Sequence, residues 1–189
     1  MRALLKKTNP DYLTKIFYPK KISEELCRQG LDFIHRRFYE EWGVVRSDVE
    51  YQRIYQRSNI VLFKQDKIIG WLGIENDNEF TTACVQSGEN GVVLLRNMID
   101  VYVKKVPSEE YFAYVPIEKT GSARAFLMAG WSINKPDCIS RIKYLDKVIT
   151  LIKLVADKNR KDEVKIDHEI EYIRRLNNEC NSRISKVNS

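Results

Sequence analysis

The chain has 189 residues and a mass of 22.3 kDa; 43% of its residues are apolar and 31% are charged. That length suits one domain, and the composition supports a buried core and excludes wholesale disorder. The formal charge of +6 permits contact with nucleic acid or an anionic ligand without demonstrating either.

In chain order, Ala3-Leu4-Leu5 reads as a short first strand, and Asn9-Pro10-Asp11 as a turn into a helix. From 11 to 57 the periodicity predicts helix with breaks. Ser23 before Glu24 and Glu25 suits a helix start, Trp42-Gly43 a break, and Ser47 with Glu50 a capping box. The texture changes at Ser58. Asn59–Gln65, Ile68–Ile74 and Phe80–Val85 form three β-rich runs joined by the short turns Asp66-Lys67 and Asn76-Asp77-Asn78, an antiparallel meander. A polar loop, Gln86 to Gly91, leads to a helix over Val92–Val106, which Pro107 ends. Tyr111–Val115 is a fourth strand. Ala123–Ala129 is a short helix closed by Gly130, and Trp131–Ile133 and Cys138–Leu145 are two more strands. Val148, Ile149, Leu151, Ile152, Leu154 and Val155 suit a helix with a broad apolar face. After a charged stretch, Ile166 to Ile184 form a second helical stripe.

Four cysteines without a CxxC pair read as reduced thiols, and two distant histidines argue against a zinc site. Neither a signal peptide nor an 18-residue apolar run is present in the sequence, so a cytoplasmic location is expected. Positive charge gathers in 1–58 and 141–189, which reads as solvated helical faces. The basic, aromatic stretches Arg36–Tyr39 and Arg53–Arg57 suit nucleic acid, but the interleaved acids disfavour a polyanion surface.

The order of helices, meander, glycine-containing loop, helix, strand, short helix and strand pair resembles the GCN5-related N-acetyltransferase (GNAT) superfamily. Ile60–Phe63 with Ile68-Ile69-Gly70-Trp71 resembles its hairpin. Ser122–Trp131, a short helix ending in Gly-Trp, resembles its late signature. The resemblance implies an α+β fold with a mixed, largely antiparallel sheet flanked by helices. Residues 1–145 would be the acyltransferase domain, with 1–58 its first strand and helices and 59–145 its sheet core. Residues 146–189 would be a helical C-terminal extension. It further implies acyl transfer, usually acetyl, from acetyl-CoA or another acyl-CoA to an amine by direct attack, without a metal. The acceptor would be a small molecule or a protein. The alternative is a catalytically inactive module of the same fold that binds protein or nucleic acid through its basic flanks and C-terminal helix.

A glycine-containing strand-to-helix loop points unpaired N–H groups at an anion. The resemblance thus implies that Gln86, Ser87, Gly88, Glu89, Asn90 and Gly91 are the pyrophosphate loop, with a backbone contact from Val85 and a phosphate contact from Arg124; by its residues alone the loop reads as an ordinary strand–helix connection. Among the acids near the meander, Glu75, Glu79 and Glu118, the choice for the base falls on Glu75, which leaves the end of a strand. Phe126 stands where the family often has a proton-donating tyrosine, so either Tyr114 or Ser122 substitutes, or the thiolate leaves unassisted, or the chemistry is lost; of the donors Tyr114 is the choice. Cys84 reads as a structural thiol and His35 as a helix-packing residue. The C-terminal stripe is read as packing on its own domain or, with a slight preference, on a partner or neighbouring chain.

Overall fold

Apolar side chains alternating along strands and recurring every three or four residues along helices sort this chain into layers. A computed structural model describes residues 11–43, 50–86, 90–108, 110–134, 139–144, 147–157 and 165–187. In chain order the elements are β1 (Tyr12–Phe17), α1 (Glu24–Trp42), α2 (Tyr51–Gln56), β2 (Ser58–Lys64), β3 (Lys67–Glu75), β4 (Glu79–Val85), α3 (Gly91–Lys105), β5 (Glu110–Pro116), α4 (Thr120–Met128), β6 (Ser132–Ile133), β7 (Ile139–Tyr144), β8 (Lys147–Asp157) and α5 (Ile166–Val187). The sheet runs β1-β2-β3-β4-β5-β8-β6, with β7 lying along β8 on the same side as β6. Every pairing is antiparallel except β4 with β5.

The helix ends follow their caps. Ser23 accepts the Leu26 N–H at 3.3 Å, and Gly43, at φ 69°, donates its N–H to the Tyr39 carbonyl at 2.8 Å. The expected Ser47 cap and the Ala3–Leu5 strand lie outside the described residues. The β2–β3 turn is Gln65-Asp66, both at positive φ, one position earlier than expected.

Helices cover both faces. On one, α1 and α2 pack Cys27, Phe33, Ile34 and Ile54 against Val61 and Trp71. On the other, α3, α4 and α5 close over Leu72, Ile74, Phe80, Ile152 and Leu154. Phe80 is the hub there, with Tyr102, Tyr111, Phe126 and Trp131 rings edge-on to it at 5.0–6.0 Å. Tyr111 also donates its hydroxyl to the Val106 carbonyl, fixing β5 to the end of α3. Among the described residues no helix is long and apolar enough to cross a membrane.

Three expectations change. Residues 12–17 are not helical but an edge strand, in register from Tyr12↔Lys64 to Phe17↔Asn59. Lys15 lies over Phe63 and Lys64 over Tyr12, so apolar rings and lysine stems alternate across the two strands. The helix expected over Val148–Val155 is strand β8, which pairs with β5 from Pro116↔Leu151 to Glu110↔Asp157. Finally, the α5 stripe packs in cis. Ile170 and Ile173 are buried in the domain's own core, and Ile166, Tyr172, Leu176 and Cys180 pack against it.

Gly30 lies inside α1, where alanine ordinarily gains about 1 kcal/mol over glycine. Here a Cβ would come within 2.3 Å of the Trp71 ring, which is fully buried and held by a hydrogen bond from its Nε1 to Asn59. Gly30→Ala is expected to destabilise the fold by about 1–3 kcal/mol in urea denaturation, opposite in sign to the helix-propensity effect.

Candidate active site

The register of β3 and β4 contains one extra residue. Leu72 faces Ala83 and Ile74 faces Phe80, so Thr81 and Thr82 together oppose Gly73. That is a β-bulge on β4, which bends the strand and breaks its ladder locally. A buried arginine holds it. Arg57, only 4% exposed, donates from Nη1 to the hydroxyls of Thr81 at 3.1 Å and Thr82 at 3.2 Å. Its Nε reaches Asn59 Oδ1 at 3.3 Å, and Asn59 in turn donates to the Ile54 carbonyl at 2.7 Å and accepts from Trp71 Nε1 at 3.1 Å. The guanidinium lies flat on Gly73: a Cβ there would sit 2.3 Å from Arg57 Cζ.

Beyond the bulge, β4 leaves β5. The two parallel strands pair only at Glu79↔Phe112 and Phe80↔Ala113, although β4 continues to Val85 and β5 to Pro116. The divergence opens a cleft of about 510 Å3. Glu79, Thr81, Ala83 and Cys84 line it from β4, and Tyr114, Val115 and Pro116 from β5. Ser122 and Phe126 of α4 contribute, as do Ser140, Ile142, Ile149 and Leu151 of β7 and β8. Arg37, Phe38 and Glu41 of α1, Arg53 of α2, and Lys119 complete the lining.

At the α1 side of this cleft Arg37, 6% exposed, donates from Nε to the Val85 carbonyl at 2.9 Å and pairs with Glu40 and, at 2.7 Å, Glu41. Glu41 also receives Lys119 Nζ at 2.8 Å, which ties α1 to the turn before α4. At the C-terminal ends of β4 and β5 two helix N-termini lie side by side, since a Cβ on Gly121 would touch Val92 at 3.9 Å. Neither Asn90 nor Lys119 caps its helix with a side-chain hydrogen bond. Their first N–H groups are donors suited to a pyrophosphate, and a Cβ at Gly91 would meet nothing nearer than Val85 at 3.8 Å.

The residues singled out from sequence fall as follows. Gln86, Asn90 and Gly91 stand at the end of β4 and the start of α3, whereas Ser87, Gly88 and Glu89 lie outside the described residues. Val85 is in the ladder opposite Gly70, with its carbonyl taken by Arg37. Arg124 turns away from the cleft and pairs with Asp167 of α5 at 3.7 Å. Tyr114 lines the cleft and is 40% exposed. Glu75 lies outside the cleft lining, paired with Arg53 at 2.5 Å and Arg57 at 3.5 Å. Burial pushes the Glu75 carboxyl up, but the Arg53 hydrogen bond and the two guanidinium charges outweigh it and hold it below its ordinary range. Glu79 is the opposite case. It lines the cleft, its carboxylate makes no ion pair among the described residues, and burial, then the Glu75 charge, raise its pKa against the opposing charge of Arg53. The basic stretches considered for nucleic acid are turned inward at Arg37 and Arg57, where both guanidiniums are buried and engaged. Sequence reading missed the Arg57–Gly73 contact and the bulge; the signals were two adjacent threonines in a strand and a second glycine in its neighbour.

No family profile matches the sequence, and no curated protein matches it. Solved structures do share the fold. An acetyltransferase of the GNAT family from Bacillus cereus superposes with a TM-score of 0.55 at 12% identity, over 78% of this chain and 99% of its own. A putative acetyltransferase from Salmonella typhimurium, solved with its cofactor acetyl-CoA, superposes with a TM-score of 0.58 at 9% identity, over 79% and 96%. An aminoglycoside 6′-N-acetyltransferase from Enterococcus faecium gives 0.54 at 14% identity, over 78% and 99%. The chain therefore has the GNAT fold, mixed and largely antiparallel, in agreement with the resemblance drawn from its sequence.

Two outcomes test the arginine network. Lysine keeps the charge of Arg57 but not its planar fork, so Arg57→Lys is expected to cost about 2 kcal/mol or more in urea denaturation. Glu75 has a depressed pKa, so its stabilisation is complete above the unfolded-state value and disappears as pH falls through the folded one. Glu75→Gln is expected to lower stability at neutral pH and to flatten its loss below about pH 4.3, the ordinary glutamate range.

Proposed function

We propose that this chain is an acyl-CoA-dependent N-acyltransferase, acetyl being the expected acyl group. The observation that carries the reading is the bulged β4 parting from β5 beside two helix N-termini whose N-cap side chains make no capping hydrogen bond. A slot between parallel strands, walled by Ala83, Val115 and Pro116, fits a thin, extended, mostly apolar arm. The amides at Gly91 and Gly121 fit a pyrophosphate at the end of that arm. The donor supplies an activated thioester carbonyl for the acceptor amine to attack.

Glu79 then takes the role for which the sequence nominated Glu75. It faces the cleft with no ion pair among the described residues, and its raised pKa suits removal of a proton from the incoming ammonium at neutral pH. Glu75, already held by two arginines, fixes the bulge instead. The bulge breaks the β4 ladder, and a strand N–H freed there is the proposed donor to a carbonyl oxygen gaining charge. Tyr114 presents a hydroxyl on the same wall, two residues beyond the partner of Glu79, and is the proposed proton donor to the departing thiolate. Phe126 has no such proton and is packed against Phe80 and Trp131.

Calorimetric titration with acetyl-CoA is expected to show micromolar binding that Gly91→Glu abolishes; absence of binding to the folded wild type leaves the inactive-module reading. Glu79→Gln is expected to leave that binding intact and to lower kcat by about 100-fold. In the wild type kcat/KM falls as pH drops through the raised Glu79 pKa, and this acid limb is expected to vanish in the variant.

A further inference from the structure

The cleft has a wall that the acyl donor does not explain. On β7 and β8, Ile142 pairs with Ile149 and Ser140 with Leu151, on the sheet face that also carries Tyr114 and Pro116. The helices α1 and α2 pack over β2, β3 and β4, and Ile142 remains 44% exposed, with Ile149 and Leu151 half-buried. Phe38 of α1 lines the same cleft. Apolar surface grouped this way in a cleft is what a ligand of matching character would bury.

The charges along the same cleft are unequal. Among the described residues, Arg37, Arg53 and Lys119 line it against two carboxylates, Glu41 and Glu79. Glu41 is already bracketed by Arg37 and Lys119 at 2.7 and 2.8 Å. Glu79 alone among these lining groups makes no ion pair among the described residues. One carboxylate receives one ammonium. A second ammonium on the same acceptor, laid along that wall, would meet cations and apolar side chains.

We infer that the acceptor is a monoamine on an apolar body, an alkyl or arylalkyl primary amine, seated with its ammonium at Glu79 and its body on Tyr114, Phe38, Ile142, Ile149 and Leu151. This rests on the acyltransferase reading and narrows it. Polyamines and aminoglycosides, which carry several positive charges, are poor acceptors at this site. Specificity resides in β7 and β8 rather than in the slot, because the slot residues meet the donor.

The test is acetyl transfer from acetyl-CoA to 2-phenylethylamine, hexylamine, spermidine and kanamycin, read as free thiol released, on wild type and Ile142→Asp. The expected result is at least 10-fold higher kcat/KM for the two monoamines than for the polycations. Ile142 is exposed, so Ile142→Asp is expected to fold. It should cut kcat/KM for 2-phenylethylamine about 10-fold, raise that for spermidine, and leave acetyl-CoA affinity by calorimetry unchanged. Preference for spermidine or kanamycin by the wild type overturns the inference while leaving N-acyltransfer standing. So does a self-association that sedimentation shows to be broken by Ile142→Asp, since a second copy would then cover this wall. Failure to bind acetyl-CoA and to acylate any of the four amines overturns both.

Discussion

The buried guanidinium of Arg57 is the contact on which the rest depends. A cation this deep is costly unless its N–H groups are met, and here Asn59 meets Nε while Thr81, Thr82 and Glu75 meet Nη1. To lie where it does, the guanidinium must rest directly on the β3 backbone, which is why position 73 has no side chain. The strand opposite adjusts by one residue, and that adjustment is the bulge. The cleft follows from the bulge. The same network fixes Trp71 through Asn59, and the Trp71 ring in turn sets the contact with α1 at Gly30. Two close approaches of glycine backbone to a large side chain thus couple the site to the helical layer above it.

Much of this frame was legible in the sequence. The meander, the helix over 91–105 and the Ser23 cap each carry a local signal that agrees with the tertiary structure. The order of these elements was enough to indicate the fold. The site itself was less legible. Nothing in the string distinguishes Glu75 from Glu79, since both flank one turn. Their surroundings differ because Arg53 and Arg57, some twenty residues upstream, form ion pairs with Glu75, whereas Arg53 acts on Glu79 only through its charge. A bulge is a relation between two strands, so neither strand reports it alone.

The misreading of β8 has a physical cause. Thr150, Ile152 and Leu154 are buried toward the helices, the alternation expected of a strand. Ile149 and Leu151 on the other face are apolar too, because they line the cleft instead of meeting solvent. Apolar residues on both faces erase the period of two, and six such residues within eight then imitate a broad helical stripe. β1 misled in the opposite way. Its Leu13, Ile16 and Phe17 fall at helical spacing, while the cross-strand lysine–ring pairs that stabilise it lie some fifty residues away.

The place of β8 in the sheet bears on the order in which the molecule can assemble. It is made after β5, β6 and β7, yet it sits between β5 on one side and β6 and β7 on the other. A chain emerging from the ribosome can pair β1 to β4 and wrap α1 around them early. It must then hold the β5 edge unpaired until residue 157 is free. During that interval the apolar faces of Tyr111, Ala113 and Val115 have only α3 and α4 to cover them. Synthesis therefore imposes a waiting period with an open sheet edge, the state in which a chain of this topology is most open to pairing with a neighbour.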